Sequence, residues 1–262
     1  MVNDKRLAAF AKLLDIMDEL REKCPWDRKQ TFESLRSNTV EETYELVDAI
    51  IKNDLNEIRK ELGDLLLHIV FYAKIGSETG KFDITDVING ICEKLVYRHP
   101  HVFGNTDVND DPNEVIKNWE QLKLKEKDGN KTVLSGVPAA LPALIKANRI
   151  QEKASAAGFD WDNRSQVWEK VVEECNEICE EIESKNYKRL EQEFGDLIFA
   201  IVNAARLYEI DPETALERTN RKFMHRFEYL EQKTIKQGRM LKTMTLDEMN
   251  EIWEEAKKFD EI

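Results

Sequence analysis

The chain has little of what builds sheets or covalent staples. Ten glycines and 6 prolines in 262 residues are too few for the turn-rich connectivity of a strand-dominated fold. Its four cysteines, Cys24, Cys92, Cys175 and Cys179, form no CxxC pair and no framework spacing, so they read as reduced thiols and exclude a disulfide scaffold. The opening stretch MVNDKRLAAFAKLLDIMDEL is broken by charges every few residues and reads as neither a signal peptide nor a membrane span. A cytoplasmic protein without membrane association is the expectation. Basic residues are also in deficit: 39 Lys and Arg stand against 52 Asp and Glu, for a net charge of -13. With no basic stripe, binding to a nucleic-acid polymer is excluded, because such binding relies on cations that neutralise phosphates.

What is present points to helix. Charged residues make up 35% of the chain and hydrophobic ones 41%, the balance of long helices with one polar face. The acidity still permits a small anionic ligand, provided that metal ions reverse the local sign.

The acidic residues are repeated. Glu41, Glu42, Glu45, Glu61 and Asp64 spell EExxE, a spacer, then ExxD, and each is answered 132 positions later by Glu173, Glu174, Glu177, Glu193 and Asp196. Trp26 and Asp27 precede the first set as Trp161 and Asp162 precede the second. Lys94 and Arg98 correspond to Lys222 and Arg226, and Trp119 and Lys123 to Trp253 and Lys257, with offsets that drift between 128 and 135. The expected organisation is two tandem modules, 1–124 and 139–262, joined by a linker at 125–138. The linker carries the turn signals Asp128, Gly129 and Asn130, and Pro138 and Pro142 mark its far end.

Both acidic motifs fall on helices. After Glu193, the series Phe194, Leu197, Ile198, Ile201, Val202 and Ala205 follows helical spacing, as do Val171, Val172, Cys175, Ile178, Cys179 and Ile182 around the second EExxE. Glu193 borders its apolar stripe and Asp196 lies roughly 60° beyond it; Glu174 and Glu177 stand in a similar relation to theirs. With a turn at 184–188, two antiparallel helices aim four carboxylates into one cleft.

A lone EExxE is most often a solvated helix face, since glutamate is a strong helix former. Two such motifs bordering apolar stripes, and then repeated, are harder to dismiss. Like charges one turn apart cost helix stability unless a cation neutralises them. An all-oxygen set without His or Cys favours Mg2+, with Mn2+ as a substitute, over zinc, and Mg2+ accepts phosphate oxygens in its remaining positions. The metal set is Glu174, Glu177, Glu193 and Asp196, with a second, weaker set at Glu42, Glu45, Glu61 and Asp64. Lys222 with Arg226, and Trp253 with Lys257, are pairs one turn apart that suit a polyphosphate. His99 and His101 flank a proline and lack a third ligand, so they are not assigned to metal. Trp26 and Trp161 suit either base stacking or helix entry and stay unassigned.

Several longer stretches carry a resemblance. CPWD at Cys24–Asp27, EETYE at Glu41–Glu45, ELGD at Glu61–Asp64, RHPHVFG at Arg98–Gly104, GFDW at Gly158–Trp161, EFGD at Glu193–Asp196 and NRKFMHRF at Asn220–Phe227 together resemble the MazG family of nucleoside triphosphate pyrophosphohydrolases over essentially the whole chain. The resemblance implies an all-α fold of two tandem helical-bundle modules, a homodimer, and Mg2+-dependent cleavage of NTPs or dNTPs to monophosphate and pyrophosphate. It also implies a house-cleaning or stress role. By the same resemblance the second module is catalytic through Glu174, Glu177, Glu193 and Asp196. Lys170, Arg189, Lys222, Arg226 and Trp253 would contact nucleotide. Glu173 and Lys257 complete the expected substrate set, and on chemical grounds Glu173 and Glu177 are the two candidates for orienting or deprotonating the attacking water.

The copies themselves give a physical reason to prefer the second. Lys170 is matched by Asn38 and Arg189 by Glu57, so the first copy loses one cation and reverses another beside its carboxylates, which disfavours a polyanion. A di-iron carboxylate bundle ranks low because neither motif carries the ExxH pair that class requires. A nucleotide-sensing or partner-binding module with little turnover stays open as the rival.

Overall fold

A computed structural model describes residues 4–108, 111–126, 131–236 and 238–259; Asp128, Gly129 and Asn130, the turn signals of the expected linker, lie outside them. The chain divides into two compact units, Met1–Val115 and Ile116–Ile262. Among the described residues every regular element is helical, as the composition implied. The first unit holds α1 (Lys5–Lys23), α2 (Phe32–Ile51), α3 (Leu55–Glu78), α4 (Ile84–Arg98) and the short α5 (Pro100–Phe103). The unit boundary falls within α6 (Pro112–Lys125), and the second unit continues with α7 (Ala143–Ala156), α8 (Arg164–Ser184), α9 (Tyr187–Leu207), α10 (Pro212–Lys236) and α11 (Leu246–Ala256).

The two acidic hairpins, α2 with α3 and α8 with α9, are built alike. Each EExxE helix begins at a capping box: Thr31 with Ser34 for α2, and Asn163 with Gln166 for α8. These boxes satisfy amide groups that a helix start leaves unpaired. Each hairpin turns through a residue in the left-handed region, Asn53 (φ 54°) and Lys185 (φ 56°), which are 132 positions apart. The second turn is tighter than the expected 184–188. Ser184 still belongs to α8, the Asn186 side chain accepts the Arg189 amide, and Lys188 is already helical.

Asn tolerates that backbone; Lys does not gain from it. Lys185→Gly is therefore expected to stabilise the second unit by roughly 0.5–1 kcal/mol, read as an upward shift of its urea midpoint with unchanged slope.

The first unit's core gathers Met17, Leu35, Val70, Phe71 and Ile75 from α1, α2 and α3. In the second, Val167, Ala200, Val202 and Ala204 are buried along α8 and α9, and Leu230, Met244 and Ile252 close the contact of α10 with α11. Glu120 of α6 is a charge hub. Its carboxylate accepts from Lys153 Nζ at 2.8 Å, Arg149 Nη2 at 2.8 Å and Lys123 Nζ at 3.0 Å, and the Lys153 side chain is only 3% exposed. No described helix is long and apolar enough to cross a membrane.

Candidate functional site

Helix periodicity sets one wall of a cavity on each arm of the second hairpin. Val167, Lys170, Glu174 and Glu177 recur every three or four residues on α8, and Asp196, Phe199, Ala200, Asn203 and Arg206 do so on α9. With α7 and the GFDW stretch they enclose about 760 Å³, a size suited to a nucleotide-sized ligand.

The acidic end is crowded with like charge. One carboxylate oxygen from each of Glu174, Glu177 and Glu193 lies within 4.8 Å of the others. Glu174 is buried; its Oε1 receives Lys170 Nζ at 2.6 Å, while its Oε2 is buried with no hydrogen-bond partner. Burial raises the Glu193 pKa, and the neighbouring carboxylates of Glu177, Asp196 and Glu174 raise it further. Lys170 also reaches Glu173 Oε1 at 3.1 Å, and these two acceptors push its pKa up. It is a fully ionised cation at the rim.

The opposite end is aromatic and amide-lined. Phe159, Trp161 and Leu134 border it with Gln151 and Asn203. Asp160 and Arg206 form an ion pair there, with Arg206 Nη1 donating to Asp160 Oδ2 at 3.0 Å. Arg206 Nε donates to Asn203 Oδ1 at 3.0 Å, and Ser155 Oγ donates to Asp160 Oδ2 at 2.6 Å. Burial opposes ionisation of Asp160, but its bonds from Arg206, Ser155 and the Trp161 amide win and lower its pKa. This anchors the GFDW stretch to α9.

The structure thus brings Lys170, Glu173, Glu174, Glu177, Glu193 and Asp196 together, whereas Arg189, Lys222, Arg226, Trp253 and Lys257 do not line the cavity. Arg189 is exposed and pairs with Glu181. Arg226 lies over the Trp253 ring at 5.7 Å, Phe223 packs on the same ring, and Lys257 pairs with Glu254. Lys222 is exposed on α10.

In the first unit Glu42, Glu45 and Glu61 cluster in the same way, and Glu61 is buried with Oε2 unpartnered. Burial and the surrounding carboxylates raise the pKa values of Glu42 and Glu61. The rest of the wall differs. Phe71 stands where the second copy has Asn203, and it packs with Met17 into the core; His68 replaces Ala200 and bonds to Thr39. The first unit's acidic groove, about 570 Å³, instead lies over Glu41, Glu45, Asp48 and Glu57.

Sequence reasoning missed Gln151, Asp160, Asn203 and Arg206. The signal for Asn203 was there: a lone amide among the apolar residues of α9, set against Phe71 in the other copy.

The MazG nucleotide pyrophosphohydrolase domain profile matches residues 30–103 and again 163–230. A Thermotoga maritima protein, "Nucleoside triphosphate pyrophosphohydrolase/pyrophosphatase MazG", is 46% identical over 96% of this chain and 97% of its own. The "Nucleoside triphosphate pyrophosphohydrolase" of Escherichia coli K12 is 40% identical over 94% of this chain and 96% of its own length. Bacillus subtilis YabN is 47% identical over 95% of this chain, which covers 52% of YabN.

Proposed function

Because the chain belongs to the MazG nucleotide pyrophosphohydrolase family, we propose that it hydrolyses nucleoside triphosphates to monophosphate and pyrophosphate, and that the second unit does the work. The observation that carries this reading is one cavity with a carboxylate cluster and a lysine at one end and aromatic and amide groups at the other. Phosphates suit the first end and a nucleoside the second.

The carboxylates fit a divalent cation. Glu174 keeps a buried oxygen without a partner, and Glu193 is held among like charges; both features are relieved by a hard cation and by little else. Glu174, Glu177, Glu193 and Asp196 would hold Mg2+, or Mn2+ in its place. When bound, the ion supplies Lewis-acid stabilisation of charge on the phosphate oxygens. Lys170 adds a fixed cation at the same rim, oriented by Glu173 and Glu174. Water adds to phosphorus as the α–β anhydride bond breaks, pyrophosphate leaves, and the water's proton passes to a carboxylate, Glu173 or Glu177.

In this reading the enzyme acts on NTPs or dNTPs in a cytoplasmic, house-cleaning role. It works as a homodimer. Phe194, Ile198 and Ile201 of α9 and Val172 of α8 stay exposed, an apolar face that a second copy would cover.

Incubation with each common NTP and dNTP plus Mg2+, followed by product chromatography, is expected to yield monophosphate and pyrophosphate. Chelation with EDTA should abolish turnover and added Mn2+ restore it. Diphosphate and orthophosphate as products would overturn the reaction assigned, and binding without product would favour a nucleotide-sensing module.

A further inference from the structure

We propose that the Asp160–Arg206 ion pair is the positioning device for the nucleoside end of the second unit's cavity, fixing the wall of Phe159 and Trp161 against which a nucleoside packs; this rests on the nucleoside triphosphate reading above. The wall lies on the connector between α7 and α8, which is anchored at both ends. Gly158 takes a left-handed backbone (φ 93°) past the end of α7 and donates to the Ser155 carbonyl at 2.8 Å, while the Phe159 amide donates to the Ala154 carbonyl at 2.9 Å. That pairing closes the helix end. Asn163 then caps α8. Phe159 is 84% exposed and Trp161 39% exposed, although both line the cavity. Rings so open are held in place by the backbone that carries them more than by packing around them.

Asp160 holds that backbone from the middle. Its Oδ2 accepts from Arg206 Nη1 at 3.0 Å and from Ser155 Oγ at 2.6 Å, and its Oδ1 accepts from Arg206 Nη2 and, at 2.9 Å, from the Trp161 amide. A two-pronged contact with a planar guanidinium sets direction as well as distance. Arg206 is itself fixed: its side chain is 14% exposed, and its Nε donates to Asn203 Oδ1 at 3.0 Å on the same helix. Asp196 stands on α9 as well, ten residues before Arg206, or about 15 Å along the axis. One helix therefore references both ends of the cavity, the carboxylates and the aromatic wall. The same distance keeps the pair away from phosphates held among the carboxylates, so it serves the reaction only through the wall.

The first unit is built otherwise. Counted from the paired tryptophans, Pro25 stands where Asp160 does, and Lys74, 132 positions before Arg206, pairs with Asp18 of α1 at 2.6 Å. Arg21 of α1 holds that unit's connector, donating to the backbone carbonyls of Asp27 and Gln30. The carboxylate motif is common to both copies, whereas the side-chain tie between connector and hairpin belongs to the copy whose cavity runs on to an aromatic end.

The test sets three measurements against one another: KM and kcat for ATP with Mg2+, the calorimetric Kd of α,β-methylene-ATP, and inhibition by inorganic tripolyphosphate, which engages the carboxylate end alone. The double variant Asp160→Asn with Arg206→Met leaves the net charge unchanged. In it, KM for ATP and Kd of the analogue are expected to rise about tenfold, a loss of binding shared by ground and transition states. Over the same change kcat and the tripolyphosphate inhibition constant should stay within about twofold. GTP, CTP and UTP should lose as much as ATP, because a stacking wall accepts every base. Trp161→Ala should raise KM by a similar factor, and adding the double change to it should raise KM little further, since groups that act as one unit are not additive. An unchanged KM in the double variant, a tripolyphosphate constant that rises with KM, or additive losses over Trp161→Ala would overturn the proposal and leave the hydrolase reading standing. Weaker analogue binding in the double variant, when the native protein hydrolyses no triphosphate, would support the positioning pair while overturning the hydrolase reading.

Discussion

Glu193→Gln should lower kcat by roughly 10²–10³-fold while raising the melting temperature of the metal-free protein. Both effects follow from one arrangement. The Glu193 carboxylate shares a 4.8 Å neighbourhood with Glu174 and Glu177, and burial and its neighbours raise its pKa. Without a cation, the ionised cluster repels itself, so an isosteric neutral side chain relieves the fold. With substrate, the same replacement removes a ligand charge at the point where phosphate charge must be stabilised. Activity and stability therefore move in opposite directions, a common trade at sites that hold strained charge. The matching change in the first unit, Glu61→Gln, should also stabilise but leave turnover intact. Loss of turnover in Glu61→Gln with retention in Glu193→Gln, measured by pyrophosphate release, would assign catalysis to the first unit.

The largest stability loss is expected outside the carboxylate cluster, at Glu120. Its side chain is 14% exposed and answers Lys123, Arg149 and Lys153 together. Removing the one carboxylate of this half-buried cluster leaves its three cations uncompensated, so Glu120→Gln should cost about 3 kcal/mol in the urea unfolding of the second unit. The pH dependence gives a second check. Burial would raise the Glu120 pKa, but the hydrogen bonds from Lys153 and Lys123 outweigh it and lower the pKa from 4.5 to about 2. For a depressed carboxylate the stabilisation is complete above the unfolded value and is lost as pH falls through the folded one. The ionised group accordingly contributes about 3 kcal/mol above pH 4.5, vanishing toward pH 2. The gap in unfolding free energy between the native protein and Glu120→Gln should narrow across that window. A gap that stayed constant with pH would mean that the hub acts by shape and not by charge.

How much of this was legible beforehand depends on the range of the interaction. The acidic repeat could be read because helix geometry is local: carboxylates three or four residues apart share a face wherever the helix is put. The two hairpins followed from the same periodicity, and the turn narrowed only because Asn186 caps α9 earlier than spacing alone implied. The polar end of the cavity was not legible. Gln151 and Phe199 are 48 positions apart and Asp160 and Arg206 are 46 apart, and an amide in an apolar stripe carries no chemical label of its own. Recurrence of Lys222, Arg226, Trp253 and Lys257 in both copies marked them as a set without saying which wall they would join; here Lys222 and Arg226 stand on α10, Trp253 on α11 and Lys257 just beyond it, with Arg226 and Phe223 against Trp253. What separates the copies most sharply is a single exchange, Phe71 for Asn203, and its meaning needed the core of one unit and the cavity of the other side by side.

Glu120 carries one more implication, for ancestry. By sequence it lies between Trp119 and Lys123, residues that belong to the first repeat, yet its partners Arg149 and Lys153 lie at the start of the second. The segment that was duplicated and the segment that folds as a body therefore have different edges. A gene fragment cut at the end of the repeat, after residue 125, would inherit two basic side chains stripped of their shared counter-charge, whereas one opening at Ile116 would carry the whole hub. A fragment that carries the second copy alone is therefore expected to unfold at lower urea when it opens after residue 125 than when it opens at Ile116.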